Sequence, residues 1–205
     1  ADALLAGRPP SRSKVRVLAS RASLHLAMDD AGPAMDAAGE ALRMADELGL
    51  AGLRAHALST RGFSRVMTGD LEGLRDLRES VEVAAGANSP QAARGFNNLA
   101  SITADLGDLP RAFELYAESR RFAERFGDAI ALGWLDVERA YELYWCGEWD
   151  AALALCDGLL AGEEEGGASL HEVDARLVRA KIAAVREGAE ASLADLERAL
   201  ELARA

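Results

Sequence analysis

Apolar and small residues recur along this chain at helical spacing, and the same order of sizes returns every 38 to 40 residues. In the stretch that opens at Pro90, the residues Phe96, Leu99, Ala100, Thr103 and Leu106 share one face of a predicted helix. Gly107 closes it in a turn, because glycine adopts positive φ without steric cost. Asp108 then suits the N-cap of a second helix, and Pro110 its first turn, where no amide bond is lost. Ala112, Leu115, Tyr116 and Ser119 continue as the inner face of that helix. The predicted unit is a helical hairpin.

One column fixes the register: Ala22, Gly62, Ala100, Ala140 and Ala180. The preceding positions are Arg21, Arg61, Leu99, Arg139 and Arg179. Eight residues past the small residue stand Asp30, Asp70, Asp108, Glu148 and Gly188. Second-helix columns follow at Ala34, Leu74, Ala112, Ala152 and Ser192, and at Ala41, Val81, Ser119, Leu159 and Ala199. Ala45, Ala85, Ala123 and Ala203 stand near the ends of four units, with Glu163 in the remaining one. Small residues here let two backbones approach, and larger ones would hold the helices apart. The boundaries read as one helical-repeat domain with units at 12–50, 51–89, 90–128, 129–167 and 168–205.

The run Phe96, Leu99, Ala100, Gly107, Asp108, Ala112, Tyr116, Ser119 resembles the tetratricopeptide pattern of large, large and small, turn, then small, aromatic and small. The usual unit is ~34 residues, so these helices are longer. Lengthened units of this kind resemble those of LuxR-type bacterial activators carrying a signal-transduction ATPase, related ATPase-linked cyclases and peptide-binding scaffold proteins. The aromatic signature is clear in the third unit, while Arg61, Arg139 and Arg179 replace the family's leucine. The resemblance implies an all-α, right-handed superhelical solenoid of about five antiparallel helix pairs. It further implies a non-catalytic binding domain, the regulatory or sensor segment of a multidomain bacterial transcription regulator. A free-standing peptide-binding scaffold is one alternative, and an enzyme-regulatory or phosphatase-like helical-repeat protein is another.

Composition agrees with an all-helical reading. Alanine supplies 43 residues and leucine 30, both strong helix formers, and aromatics are 5%. The net charge of −11 is uneven: residues 1–127 hold 16 basic and 17 acidic residues, residues 128–205 hold 7 and 17. Such a chain repels phosphate, so direct nucleic-acid binding is not expected, and a basic partner would favour the C-terminal half. No apolar run reaches the ~18 residues that span a bilayer, and no leader is visible, so a cytoplasmic protein without membrane contact is expected. Arginine outnumbers lysine 21 to 2, the bias of a GC-rich bacterial genome. Cys146 and Cys156 lack a second ligand pair, so two reduced core thiols are expected rather than zinc.

Both ends read as cut faces. Ala3, Leu4, Leu5 and Gly7 match Leu159, Leu160 and Gly162, so residues 1–8 are expected to be the tail of a preceding helix. Leu196, Ala199, Leu200 and Ala203 leave an apolar face with no polar cap after it. The chain is therefore expected to be a piece of a longer solenoid, or one that self-associates through open ends.

Catalysis has no motif in its favour: no P-loop, no dinucleotide glycine pattern, no HExxH and no nucleophile elbow. His25, His56 and His171 share no ligand spacing, and no metal or cofactor is expected. The arginine column opposite Asp36, Asp76 and Glu114 reads as structural ion pairs, with anion binding as the alternative. The acidic run Gly162 to Gly167, with Glu163, Glu164 and Glu165, reads as a solvated linker.

In the tetratricopeptide arrangement the first helix of each pair lines the concave groove. That places His56, Ser59, Phe63 and Met67, then Arg94, Asn97, Asn98 and Ser101, then Trp134, Glu138, Tyr141 and Trp145 on the candidate surface. Asparagine amides both donate and accept, which suits the backbone of an extended peptide, and aromatic rings supply anchors. The alternative for the aromatic cluster, which includes Tyr144 and Trp149, is packing between helix pairs. The expected partner is a protein or peptide, another domain of the same chain, or a small-molecule effector.

Overall fold

The computed structural model describes residue 7, residues 9–163 and residues 171–204, without the side chains of 162 and 163. The predicted tail at residues 1–8, apart from Gly7, and the acidic linker at Glu164 and Glu165 lie outside the described residues. Among those described there are ten α-helices and no strand. They are α1 (Arg12–Ala27), α2 (Ala31–Glu47), α3 (Ala51–Met67), α4 (Gly73–Gly86), α5 (Gln91–Asp105), α6 (Leu109–Phe126), α7 (Ala129–Trp145), α8 (Trp149–Glu163), α9 (Glu172–Arg186) and α10 (Leu193–Arg204). A 3-10 turn, Ala189–Ser192, leads into α10. The chain divides into two compact units, Ala1–Asp128 with α1–α6 and Ala129–Ala205 with α7–α10.

The helices end where one local device recurs. Asp29, Gly49, Gly69, Asn88, Gly107, Gly127 and Gly147 all take positive φ. In each case the next amide donates to the carbonyl five residues back, as in Asp30 to His25, Asp70 to Arg65 and Asp108 to Thr103, at 2.9 to 3.1 Å. This closing bond satisfies carbonyls the helix leaves open. Asp29 and Asn88 do the work of glycine because their short polar side chains tolerate the left-handed region. Asp108 caps α6 as predicted, its side chain accepting from the Arg111 amide at 3.3 Å.

In the first unit, the first helices α1, α3 and α5 pack side by side, and α2, α4 and α6 each pack on their own partner. In the second unit, α7 and α9 make the same kind of contact, with α8 against both. The small column is buried at all five positions, Ala22, Gly62, Ala100, Ala140 and Ala180. The tightest crossing is α3 on α4. A Cβ on Gly62 would lie 2.7 Å from the Gly73 carbonyl oxygen, and one on Gly73 2.3 Å from that of Gly62.

The second-helix columns hold in α2 and α6, whereas Leu159 of α8 is only half-buried, Ala203 of α10 is exposed, and α4 is displaced by one residue. Gly73, Ser80 and Ala84 are buried there, whereas Leu74, Val81 and Ala85 are only half-buried. Ser80 donates to the Ala55 carbonyl at 2.8 Å, and Ser119 donates to that of Ala93 at 2.7 Å, which marks the two serines as equivalent. The slip arises in the turn. Gly73, Leu74 and Arg75 each donate to the carbonyl three residues back, so the chain is wound more tightly before α4 begins.

The arginines at 61, 139 and 179 form ion pairs, though not all with the facing second helix. Arg61 holds Asp76 through two bonds of 2.7 and 2.8 Å, and Arg179 holds Asp195 at 3.0 Å and Asp157 at 2.9 Å. Arg139 pairs with Glu142 on its own helix, and Glu114 pairs with Arg111. Cys156 is buried, and burial pushes its thiol up to about 11. Cys146 is not a core thiol as expected. It follows the last residue of α7 at the helix–helix turn and is exposed.

Candidate functional site

Three parallel first helices of the first unit carry a continuous row of polar side chains. Ser23 on α1 lies 2.8 Å from Nε2 of His56 on α3, and Nη1 of Arg94 on α5 lies 3.2 Å from the same nitrogen. One turn along, Asn98 Nδ2 donates to Ser59 Oγ at 2.9 Å. Ser23 also lies 3.4 Å from Thr60. A guanidinium only donates, so Nε2 of His56 must accept and the ring carries its proton on Nδ1. Burial, and secondly the Arg94 charge, push His56 down to about 4, which keeps the ring neutral at physiological pH.

Two polar groups in this row lack an ordinary partner. Arg94 has no carboxylate within 4 Å among the described residues. Burial lowers its proton affinity, against the longer-range pull of Asp128. The side-chain oxygen of Asn97 is buried with no hydrogen-bond partner. Buried polar atoms are almost always paired, so such a position is costly in the free protein. Phe63, half-buried, lies one turn beyond Ser59 on α3. Met67 lies at the exposed end of α3, at the turn and away from this row.

The second unit brings its four predicted residues to α7. The Trp134 ring stands edge-on to His171 at 4.5 Å between centroids. Tyr141 donates a long hydrogen bond of 3.5 Å to Asp174, and the Lys181 ammonium sits 4.9 Å over its ring. Burial pushes Tyr141 up and raises Asp174 as well. Glu138 is half-buried on the same helix, and Trp145 is exposed beside Tyr144. Trp149 instead donates to the Tyr144 carbonyl at 3.0 Å and stacks on that residue's ring, a packing role. Among the described residues there is no cluster of three or more metal-ligating side chains.

Sequence reasoning did not name Ser23 or Thr60. The signal was there for Ser23, which stands in the repeat column of Phe63, Ser101 and Tyr141.

No protein-family model matches the chain, and no curated protein matches it. Solved structures do. BtubC (BKLC) from P. vanneervenii is 20% identical with a TM-score of 0.66, over 93% of this chain and 80% of that one. Repeats of a Podosopora anserina protein assigned to the kinesin light chains are 14% identical with a TM-score of 0.63, covering 94% and 97%. The fold is tetratricopeptide-like. A Rap protein in complex with Competence and Sporulation Factor is 20% identical with a TM-score of 0.68, covering 95% of this chain and 53% of that protein. At these identities the likeness is one of fold. No described helix of this tetratricopeptide-like chain is long and apolar enough to cross a membrane.

Proposed function

We propose that this chain is a non-catalytic binding module that takes an extended peptide or protein segment on the first-helix face. In the first unit the proposed contacts are Phe63, Arg94, Asn97 and Asn98; Met67, at the exposed end of α3, is left out of them. In the second they are Trp134, Glu138, Tyr141 and Trp145. The observation that carries the reading is the pair of under-satisfied groups on α5, the buried Asn97 oxygen and the Arg94 guanidinium without a carboxylate. An acceptor group of the partner would complete Arg94, and the half-buried Asn97 side chain, turned outward, would present its oxygen to a partner's backbone amide.

The biological setting we infer is the regulatory or sensor segment of a bacterial transcription regulator, supported by the lengthened repeats and the arginine bias. A second setting, an enzyme-regulatory or phosphatase-like helical-repeat protein, is favoured by the likeness in fold to a Rap protein complexed with Competence and Sporulation Factor. Hydrogen exchange tests the binding face directly. With a peptide selected from a display library, protection is expected along α1, α3 and α5. Protection confined to α2, α4 and α6 would contradict the proposal.

A further inference from the structure

The turns that join first to second helices carry a second surface, distinct from the polar row. Leu24, Met28, Met67, Leu71 and Leu106 are between 55% and 69% exposed. Leu24 lies in the last turn of α1 and the other four at or beside the turns α1–α2, α3–α4 and α5–α6 of the first unit, and Met28, Met67 and Leu106 sit at the ends of three first helices that run side by side. The opposite edge, between one pair and the next, offers among the described residues Leu48 and Phe126 at 41% and 37%, and Ile130 at 69% in the first turn of α7. Large apolar side chains in open water at the same place in three consecutive pairs are a pattern, not scatter. The second unit repeats it with Trp145 and Val185 at the ends of α7 and α9.

The charge around this edge is one-sided. Residues 24–33, 64–73 and 102–111 hold six carboxylates, at Asp29, Asp30, Asp70, Glu72, Asp105 and Asp108, and two guanidiniums. Both guanidiniums are engaged, Arg65 by Asp70 and Asp76, and Arg111 by Glu114. A second copy of this chain would meet the edge with like charge, and so would an anionic membrane. A basic segment would meet it with opposite charge. Spacing adds to this. Adjacent packed helices lie about 10 Å apart, so three helix ends span roughly 20 Å. An α-helix advances ~10.5 Å in seven residues. Apolar residues of a partner helix at two-turn intervals would fall on successive helix ends, and methionine adapts to such contacts.

We infer that the first-to-second turn edge of the first unit docks a Lys/Arg-rich amphipathic helix of about 15 residues from a partner protein.

The test uses the full chain and an 18-residue Leu/Lys amphipathic peptide, with its Leu/Glu counterpart, in fluorescence anisotropy. The Leu/Lys peptide is expected to bind and the Leu/Glu peptide not to. Combining Met28→Ser, Met67→Ser and Leu106→Ser should weaken binding at least ~30-fold, with the melting temperature unchanged because all three side chains are exposed. Leu48→Ser with Phe126→Ser should leave binding intact, and so should Asn98→Ala, which separates this surface from the first-helix face. Full binding by the triple variant would overturn the inference, because charge alone would then suffice. Equal binding of the Leu/Glu peptide, or no binding of either, would overturn it. So would a dimer in sedimentation that the triple variant abolishes, since the occupant would then be a second copy.

Discussion

Arg94 donates to the imidazole of His56 across 3.2 Å, a cation resting on a neutral ring between two adjacent first helices. The contact works only while Nε2 is unprotonated. Protonation would remove the acceptor shared by Ser23 and Arg94 and would set two positive charges against each other.

The consequence for pH has a definite sign. An unfolded histidine titrates near ~6.5, while the folded His56 is held down to about 4. The unfolded chain therefore binds the proton first. Stability is complete above pH ~6.5 and falls as pH drops toward ~4, by up to about 3 kcal/mol. Urea melts from pH 7 to 4.5 should show this slope in the wild type and a flatter one in His56→Gln. Identical slopes would remove His56 as the cause.

Gly62 and Gly73 are fixed by contact between two backbones. Gly62→Ala would place its Cβ 2.7 Å from a carbonyl oxygen and 2.9 Å from the Leu77 amide, so α3 and α4 must part. A loss of ~1–3 kcal/mol is expected. Gly39→Ala meets nothing within 4 Å in the middle of α2. It should raise stability by ~0.5–1 kcal/mol through helix propensity. Ala100→Leu, in the same buried column as Gly62, should resemble the first change.

Asp76 is buried and accepts from both Arg61 and Arg65. Its guanidinium partners are about 30% exposed, so the pair stands between a surface and a core ion pair. Asp76→Asn should cost about 2 kcal/mol. Glu118→Gln, in the exposed pair with Arg121, should cost less than ~0.5 kcal/mol. Chemical denaturation of both variants checks the contrast.

Asn97 separates binding from stability. Its buried oxygen lacks a partner, so Asn97→Ala removes an unsatisfied group and should leave the melting temperature unchanged or slightly higher. A clear fall in melting temperature would mean that the oxygen is satisfied in solution.

The helix pairs were legible because close packing demands small residues at fixed intervals, and Ala22, Gly62, Ala100, Ala140 and Ala180 are all buried. The one-residue slip of α4 was not legible. It depends on how tightly Leu71 and Glu72 wind the turn, and Leu74, Val81 and Ala85 were equally acceptable by size. The turns at Asp29 and Asn88 hid for a related reason, since left-handed backbone is signalled by glycine and these two positions lack it. Periodicity put Met67 on the groove, but its place at the last turn of α3 turns it toward the hairpin edge. The bond network of Ser23, His56 and Arg94 joins residues 33 and 38 positions apart, an alignment that helix packing sets and no local pattern records.

The central claim is that the first-helix face binds an extended peptide through its amides. The most direct measurement is the affinity of one display-selected peptide for the wild type, Asn97→Ala and Asn98→Ala, with melting temperatures recorded on the same samples. The account predicts that each substitution weakens binding at least ~10-fold while the fold stays intact. Unchanged affinity in both variants, with the fold intact, would contradict it.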